Sequence, residues 1–327
     1  MPLFDRYIAV DWSASNSPKT GRDSIWIAEA TSGGLVGARN PSTRAAAMAD
    51  LESTLVAARM RGERVLCGFD FAFGFPAGTA ARLAQAANQS ATTLSRDSLP
   101  PVGRGNPRSG WVGGGEPPAE KPWHVLWSLL STLIDDSDAN LSNRFEVAEA
   151  LNGRGAKFWG HPHGRSYAQL TPTKPAGFYA DLPERRAVEA ALSGPQPVWK
   201  LTGVGAVGSQ TLLGIARLEA LRQHARLGPD IAVWPFETDF ERALGAPITL
   251  VEIYPSLLRL TSASAPRDRA QVETCVAHYA DLDRAGLLDR FLSAPADLEA
   301  RASCLAEEGW IAGVGHPTLC QPVRAAA

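Results

Sequence analysis

The sequence predicts an α/β protein built on a mixed sheet, and three observations lead there. Apolar runs of strand length at 6–12, 23–30 and 35–38 follow one another through short connections, as in an antiparallel meander. A long helical pattern over 40–62 then leads into a fourth apolar run at 64–74. A strand reached by such a crossover joins its sheet in parallel. Finally, three apolar runs give way to an acid: Asp11 in "RYIAVDWSAS", Asp70 in "RVLCGFDFAFGFP" and Glu252 in "ITLVEIYPS". A carboxylate at the end of a buried strand is costly unless it has a partner.

The elements follow in order. Residues 6–12 are rich in Ile, Val and Tyr, and "DSIWIAEA" alternates as a strand does. The "SGG" at 32–34 supplies a turn into the short strand "LVGA". Pro41, Ser42 and Thr43 offer a helix start and Gly62 a stop. Residues 100–122 are dense in Pro, Gly and Arg and are expected to be a loop. Helices are expected around 123–135, 143–151 and 209–225, with loops and a local basic excess over 153–200. Strands follow at 230–238 and 248–256, then helices at about 267–280, 284–293 and 296–306. This divides the chain into a core of 1–76 and 230–327 and an inserted helical and loop segment, 77–229, expected to cap the strand ends.

Composition limits the functional classes. The 327 residues have a formal net charge of -2, so no global basic field announces a long duplex. Cys67, Cys275, Cys304 and Cys320 are widely spaced and form no CxxC pair. That argues against a zinc site or a disulfide framework and fits a reducing compartment. The N-terminal run carries acids and lacks the shape of a signal peptide, and no apolar stretch reaches the length of a membrane span. A cytoplasmic protein without a membrane partner is the expectation.

The three acids suggest the chemistry. Strand-end carboxylates on adjacent strands suit a hard divalent cation, Mg²⁺ or Mn²⁺, which takes oxygen ligands and leaves room for water and phosphate. Two such ions clamp the attacking and leaving oxygens of an in-line phosphoryl displacement. A β-β-β-α-β order with acids ending strands one and four is the layout of the RNase-H-like fold. A fourth acid is expected from the late helix in "PRDRAQVETCVAHYADLD", where Asp268 falls in the first turn. The bland alternatives are turn chemistry for Asp11 and Asp70 and helix capping for Asp268.

The segments "YIAVDWSA", "GFDFAFGFP" and "VEIYPS" resemble the motifs of an uncharacterised bacterial and archaeal family, a domain of unknown function described as RNase-H-like nucleases. The D-F-x-x-G-x-P and E-x-x-P segments are the specific parts, and the resemblance runs loosely over residues 6–280. It implies a metal-dependent nuclease or phosphodiesterase with Asp11, Asp70, Glu252 and Asp268 as catalytic and metal-binding residues. That family's late helix carries two aspartates three residues apart; here Asp268 holds the first place and Gln271 the second. Some members carry genome labels linking them to molybdopterin guanine dinucleotide synthesis.

Phosphate contacts are expected from Lys200 and Gln210, which flank "GVGAVG" at 203–208, and from Arg154, Lys157 and Arg165 in "RGAKFWGHPHGR". The glycine-rich run before a helix could present backbone N–H groups to an anion. The second stretch interleaves basic and aromatic side chains, as single-stranded nucleic acid binders do. The expected partner is single-stranded or structured nucleic acid or a small nucleotide. Two alternatives keep the sheet: an actin-like or sugar-kinase-like phosphotransferase, of whose two β-β-β-α-β units only one is in evidence, and a catalytically silent binding protein.

Overall fold

A computed structural model describes residues 2–89, 121–241 and 246–323. Six strands form one mixed sheet: β1 (Arg6–Asp11), β2 (Trp26–Thr31), β3 (Gly34–Arg39), β4 (Val65–Phe69), β5 (Ile231–Val233) and β6 (Ile248–Glu252). Their order across the sheet is β3-β2-β1-β4-β6-β5. The first three strands run antiparallel to one another, while β4 joins β1 in parallel and β6 and β5 continue in parallel. The central strands β4 and β6 are buried along their whole length, as strands covered on both faces must be.

Seven helices matter to the site: α1 (Arg44–Met60), α2 (Thr79–Gln89), α3 (Pro122–Leu133), α4 (Arg144–Asn152), α5 (Ala187–Ala190), α6 (Gly208–Arg222) and α7 (Arg267–Arg284). Alternation along the strands sends Ile8, Val10, Cys67, Phe69 and Leu250 into a core with α1, α3 and α6. Tyr7, Ala9, Leu66, Val251 and Ile253 enter the opposite core, against Cys275, Val276 and Tyr279 of α7. The segment expected as an insertion supplies Trp127, Leu130, Leu212 and Ile215 to the first of these cores, so it packs directly against the sheet.

Capping and a buried ion network set the helices. Thr43 accepts the Ala46 amide at 3.1 Å at the start of α1, and Gly62, at φ +73°, turns the chain out of it. The fully buried Arg44 bonds both oxygens of Asp136, at 2.9 and 2.6 Å, and Arg217 of α6 reaches the same carboxylate at 2.9 Å. Arg44 also donates to the carbonyls of Ser13 and Ser15, which fixes the loop leaving β1.

Several expected boundaries are corrected. The second strand begins at Trp26, because Gly21 and Asp23 take left-handed conformations in the turn before it. The fourth stops at Phe69. Beyond it Phe71, Phe73 and Phe75 leave the sheet and pack as aromatic plugs, Phe71 lying 5.6 Å from Phe73. The run at 230–238 forms a strand only over Ile231–Val233, since Pro235 has no N–H to continue a ladder. The run at 248–256 pairs only to Glu252, ahead of Pro255. The late helices shrink to a turn at Leu288–Phe291 and another at Arg301–Ser303, which runs into a π-helical turn at Cys304–Glu308. Pro295 and Gly309 bound these pieces. Helix α2 was not anticipated, and the loop expected at 100–122 lies outside the described residues up to residue 120.

Candidate functional site

The register of the parallel strands builds the site. Val10 pairs with Phe69, so the next residues, Asp11 and Asp70, are neighbours at the carboxyl edge. The Asp70 amide donates to the Val10 carbonyl at 2.9 Å and carries the ladder one residue further. Alternation turns Asp11 and Asp70 toward the α7 face. In agreement, both charges add to the effect of burial in pushing the Cys275 thiol of α7 up.

Both carboxyls are strongly perturbed. Burial first, and then the charges of Asp70, Asp268 and Asp23, hold Asp11 well above the usual carboxylate range. Burial, then the charge of Glu252, pushes Asp70 up to about 7. Asp11 and Asp70 are half-buried, and among the described residues neither side chain has a hydrogen-bond or salt-bridge partner. Asp268 lies in the first turn of α7 and accepts the Asp23 amide at 2.6 Å, tying the loop before β2 to this corner.

Glu252 has a different setting. It pairs in register with Phe69 and so starts from the opposite face to Asp70. Its Oε1 accepts Arg186 Nη2 at 2.6 Å, and its Oε2 accepts Arg186 Nη1 at 2.8 Å and the Phe73 amide at 2.9 Å. Arg186 Nε also bonds Glu189 at 2.8 Å. Burial opposes the Arg186 charge, but Glu252 and Glu189 more than restore it, so the guanidinium is held charged. Burial pushes Glu252 up, and Arg186 limits the rise. The sequence reading did not find Arg186 or Glu189. The only local signal was their i, i+3 spacing in "RAVE", which a surface turn shares.

A cavity of about 170 Å³ opens between these groups, with Asp70, Arg186, Glu189 and Glu252 in its lining. A larger cavity, about 760 Å³, lies among Leu192, Leu257, Trp310 and Val314, and none of Asp11, Asp70 or Glu252 lines it. Size therefore does not mark the chemistry here; the perturbed carboxyls do.

The expected phosphate contacts are dispersed and mostly engaged. Lys200 Nζ donates to the Val204 carbonyl at 2.7 Å, and Gln210 Nε2 donates to the Trp12 carbonyl at 2.5 Å. Lys157 pairs with Asp181 at 2.7 Å and Arg165 with Glu146 at 2.9 Å. Arg154 sits in the turn closing α4, its amide bonded to the Leu151 carbonyl. Of the five, only Gln210 lines the small cavity, together with Gly205 of the glycine-rich run.

Among the described residues no group of three or more His, Cys, Asp or Glu side chains stands ready to hold a metal ion. The donor set that does fit is smaller: Asp11 and Asp70, unpartnered and mutually repelling, match the one or two carboxylates by which a largely hydrated Mg²⁺ is held. No helix among the described residues is long and apolar enough to cross a membrane. In comparisons with protein-family models, curated proteins and solved structures, nothing matched this chain.

Proposed function

We propose that this chain is a metal-dependent phosphodiesterase of RNase-H-like type, acting on nucleic acid or a nucleotide. The observation that carries the reading is the pair Asp11 and Asp70, two unpartnered carboxyls side by side on adjacent parallel strands. The sheet order, with β1 beside β4 and the meander on one flank, supports the fold assignment. Four buried cysteines without a disulfide support a cytoplasmic setting.

In this reading Asp11 and Asp70 hold Mg²⁺ or Mn²⁺. The ion would supply a Lewis acid for a phosphoryl oxygen and make bound water a better nucleophile. Asp70, with its raised pKa, would have to give up its proton to serve as a ligand. Asp268 completes the set once it gives up the Asp23 amide. Glu252 acts through Arg186 and the Phe73 amide, where it fixes the chain just after Asp70; it becomes a ligand only by releasing the guanidinium. Lys200, Arg154, Lys157 and Arg165 would steer phosphate only by exchanging their present partners.

The test is a panel of single-stranded and structured DNA and RNA, cyclic nucleotides and dinucleotides, with Mn²⁺ present. Turnover lost in a folded Asp70→Asn variant supports the proposal, and equal turnover in the variant overturns it. Turnover that needs ATP and no nucleic acid would favour a kinase-like phosphotransferase. The engagement of Glu252 by Arg186 favours a second reading, a binding protein on the same sheet, which a silent panel would support.

A further inference from the structure

The cavity beside Asp70 has features the carboxylates do not explain. Its volume, about 170 Å³, is close to the ~150 Å³ engineered cavity that takes a benzene ring, and well below the ~300 Å³ at which drug-sized pockets begin. It therefore has room for a planar ring system. Phe71, Pro195, Val207 and Ile253 give it apolar walls.

Apart from Asp70, its free polar groups are neutral. The half-buried Tyr254 hydroxyl and the exposed Gln196 carboxamide both line the cavity, and among the described residues neither has a hydrogen-bond partner. Gln210 uses its Nε2 on the Trp12 carbonyl, which leaves its side-chain oxygen unused. Among the described residues Arg186 is the one cation in the lining; it is matched by Glu252 and Glu189, and Asp70 adds a further acid. With no positive charge to spare, the cavity disfavours a phosphate and suits a neutral ring with donors and acceptors on its edge.

We propose that this cavity is a subsite for one nucleobase, which would seat the substrate so that its phosphate lies outside, toward Asp11. The inference rests on the phosphodiesterase reading for the identity of the ring, and it deepens that reading by placing the base.

The experiment measures binding of uridine, cytidine, adenosine, guanosine and ribose 5-phosphate to the full chain in chelator, by calorimetry and ligand-observed NMR. At least one nucleoside should bind, and the sugar phosphate should not. Tyr254→Phe and Gln196→Ala should each weaken nucleoside binding by about two- to tenfold, the worth of one hydrogen bond. Gln196 is exposed, so that variant should fold even if the first does not. The subsite is overturned if no nucleoside binds, if ribose 5-phosphate binds as well, or if Gln196→Ala binds like the wild type. No metal or turnover enters this measurement. Nucleoside binding with a silent hydrolysis panel would defeat the phosphodiesterase reading alone, and turnover without nucleoside binding would defeat the subsite alone.

Discussion

Arg186 grips Glu252 with two parallel N–H···O bonds, of 2.6 and 2.8 Å, and both side chains are almost wholly buried. The pair joins the end of β6 to α5, which lies in the segment expected to be an insertion. Such a pair adds little net stability over apolar neighbours, but breaking one side is severe. Arg186→Met leaves the buried Glu252 and Glu189 without their cation, and a loss of about 3–5 kcal/mol is expected in urea unfolding at neutral pH. A loss below about 1 kcal/mol would show that water reaches these carboxylates and that the pair is not structural.

Divalent metal should raise the melting temperature. A ligand that binds only the native state at a hundred times its Kd contributes about 2.7 kcal/mol. Thermal melts with Mg²⁺ and Mn²⁺ should shift the wild type upward, and Asp11→Asn should respond far less. An equal shift in the variant would place the metal elsewhere.

The pH dependence of the metal-free protein has a defined sign. Folded Asp70 keeps its proton up to about pH 7, whereas an aspartate in the unfolded chain releases it near pH 4. Across that window the native state binds more protons, so this group makes stability fall as pH rises. Asp70→Asn should remove that fall. The check is unfolding of both proteins in chelator at several pH values between 4 and 8. Parallel curves for the two proteins would mean that Asp70 titrates normally.

Helix α6 approaches the site closely at Gly214. A Cβ added there would lie 2.4–2.6 Å from atoms of the Phe71 ring, and Phe71 directly follows Asp70. Gly214→Ala should destabilise the protein by about 1–3 kcal/mol through overpacking and should weaken metal binding by displacing Asp70. A variant as stable as the wild type, with an unchanged metal response, would show that Phe71 yields without disturbing its neighbour.

What could be read from the sequence follows from periodicity. The apolar runs ending at Asp11 and Asp70, and the helix between them, sufficed to set β1 and β4 side by side, because local pattern and crossover geometry dictate that pairing. Glu252 could be located at a strand end but its partner could not. Arg186 comes from a distant turn, and the ion pair exists only through tertiary packing. The engagement of Lys157 by Asp181 and of Arg165 by Glu146 was hidden for the same reason. Residues 70–74 looked like more strand because aromatic alternation continues through Phe71 and Phe73, yet these side chains fill a core instead of extending a ladder.

The pairing of Val65 with Ile248 has a consequence for biosynthesis. While the ribosome makes the long stretch between them, β1 to β4 can already assemble, but β4 then forms an uncovered border of the sheet. That border, "VLCGF", is apolar throughout and open to pairing with another chain. Nascent chains that stall or are cut before residue 248 should therefore be sticky and dependent on chaperones. The acidic pair would already be in place in such fragments, while Glu252 and the anchor for Arg186 would still be missing.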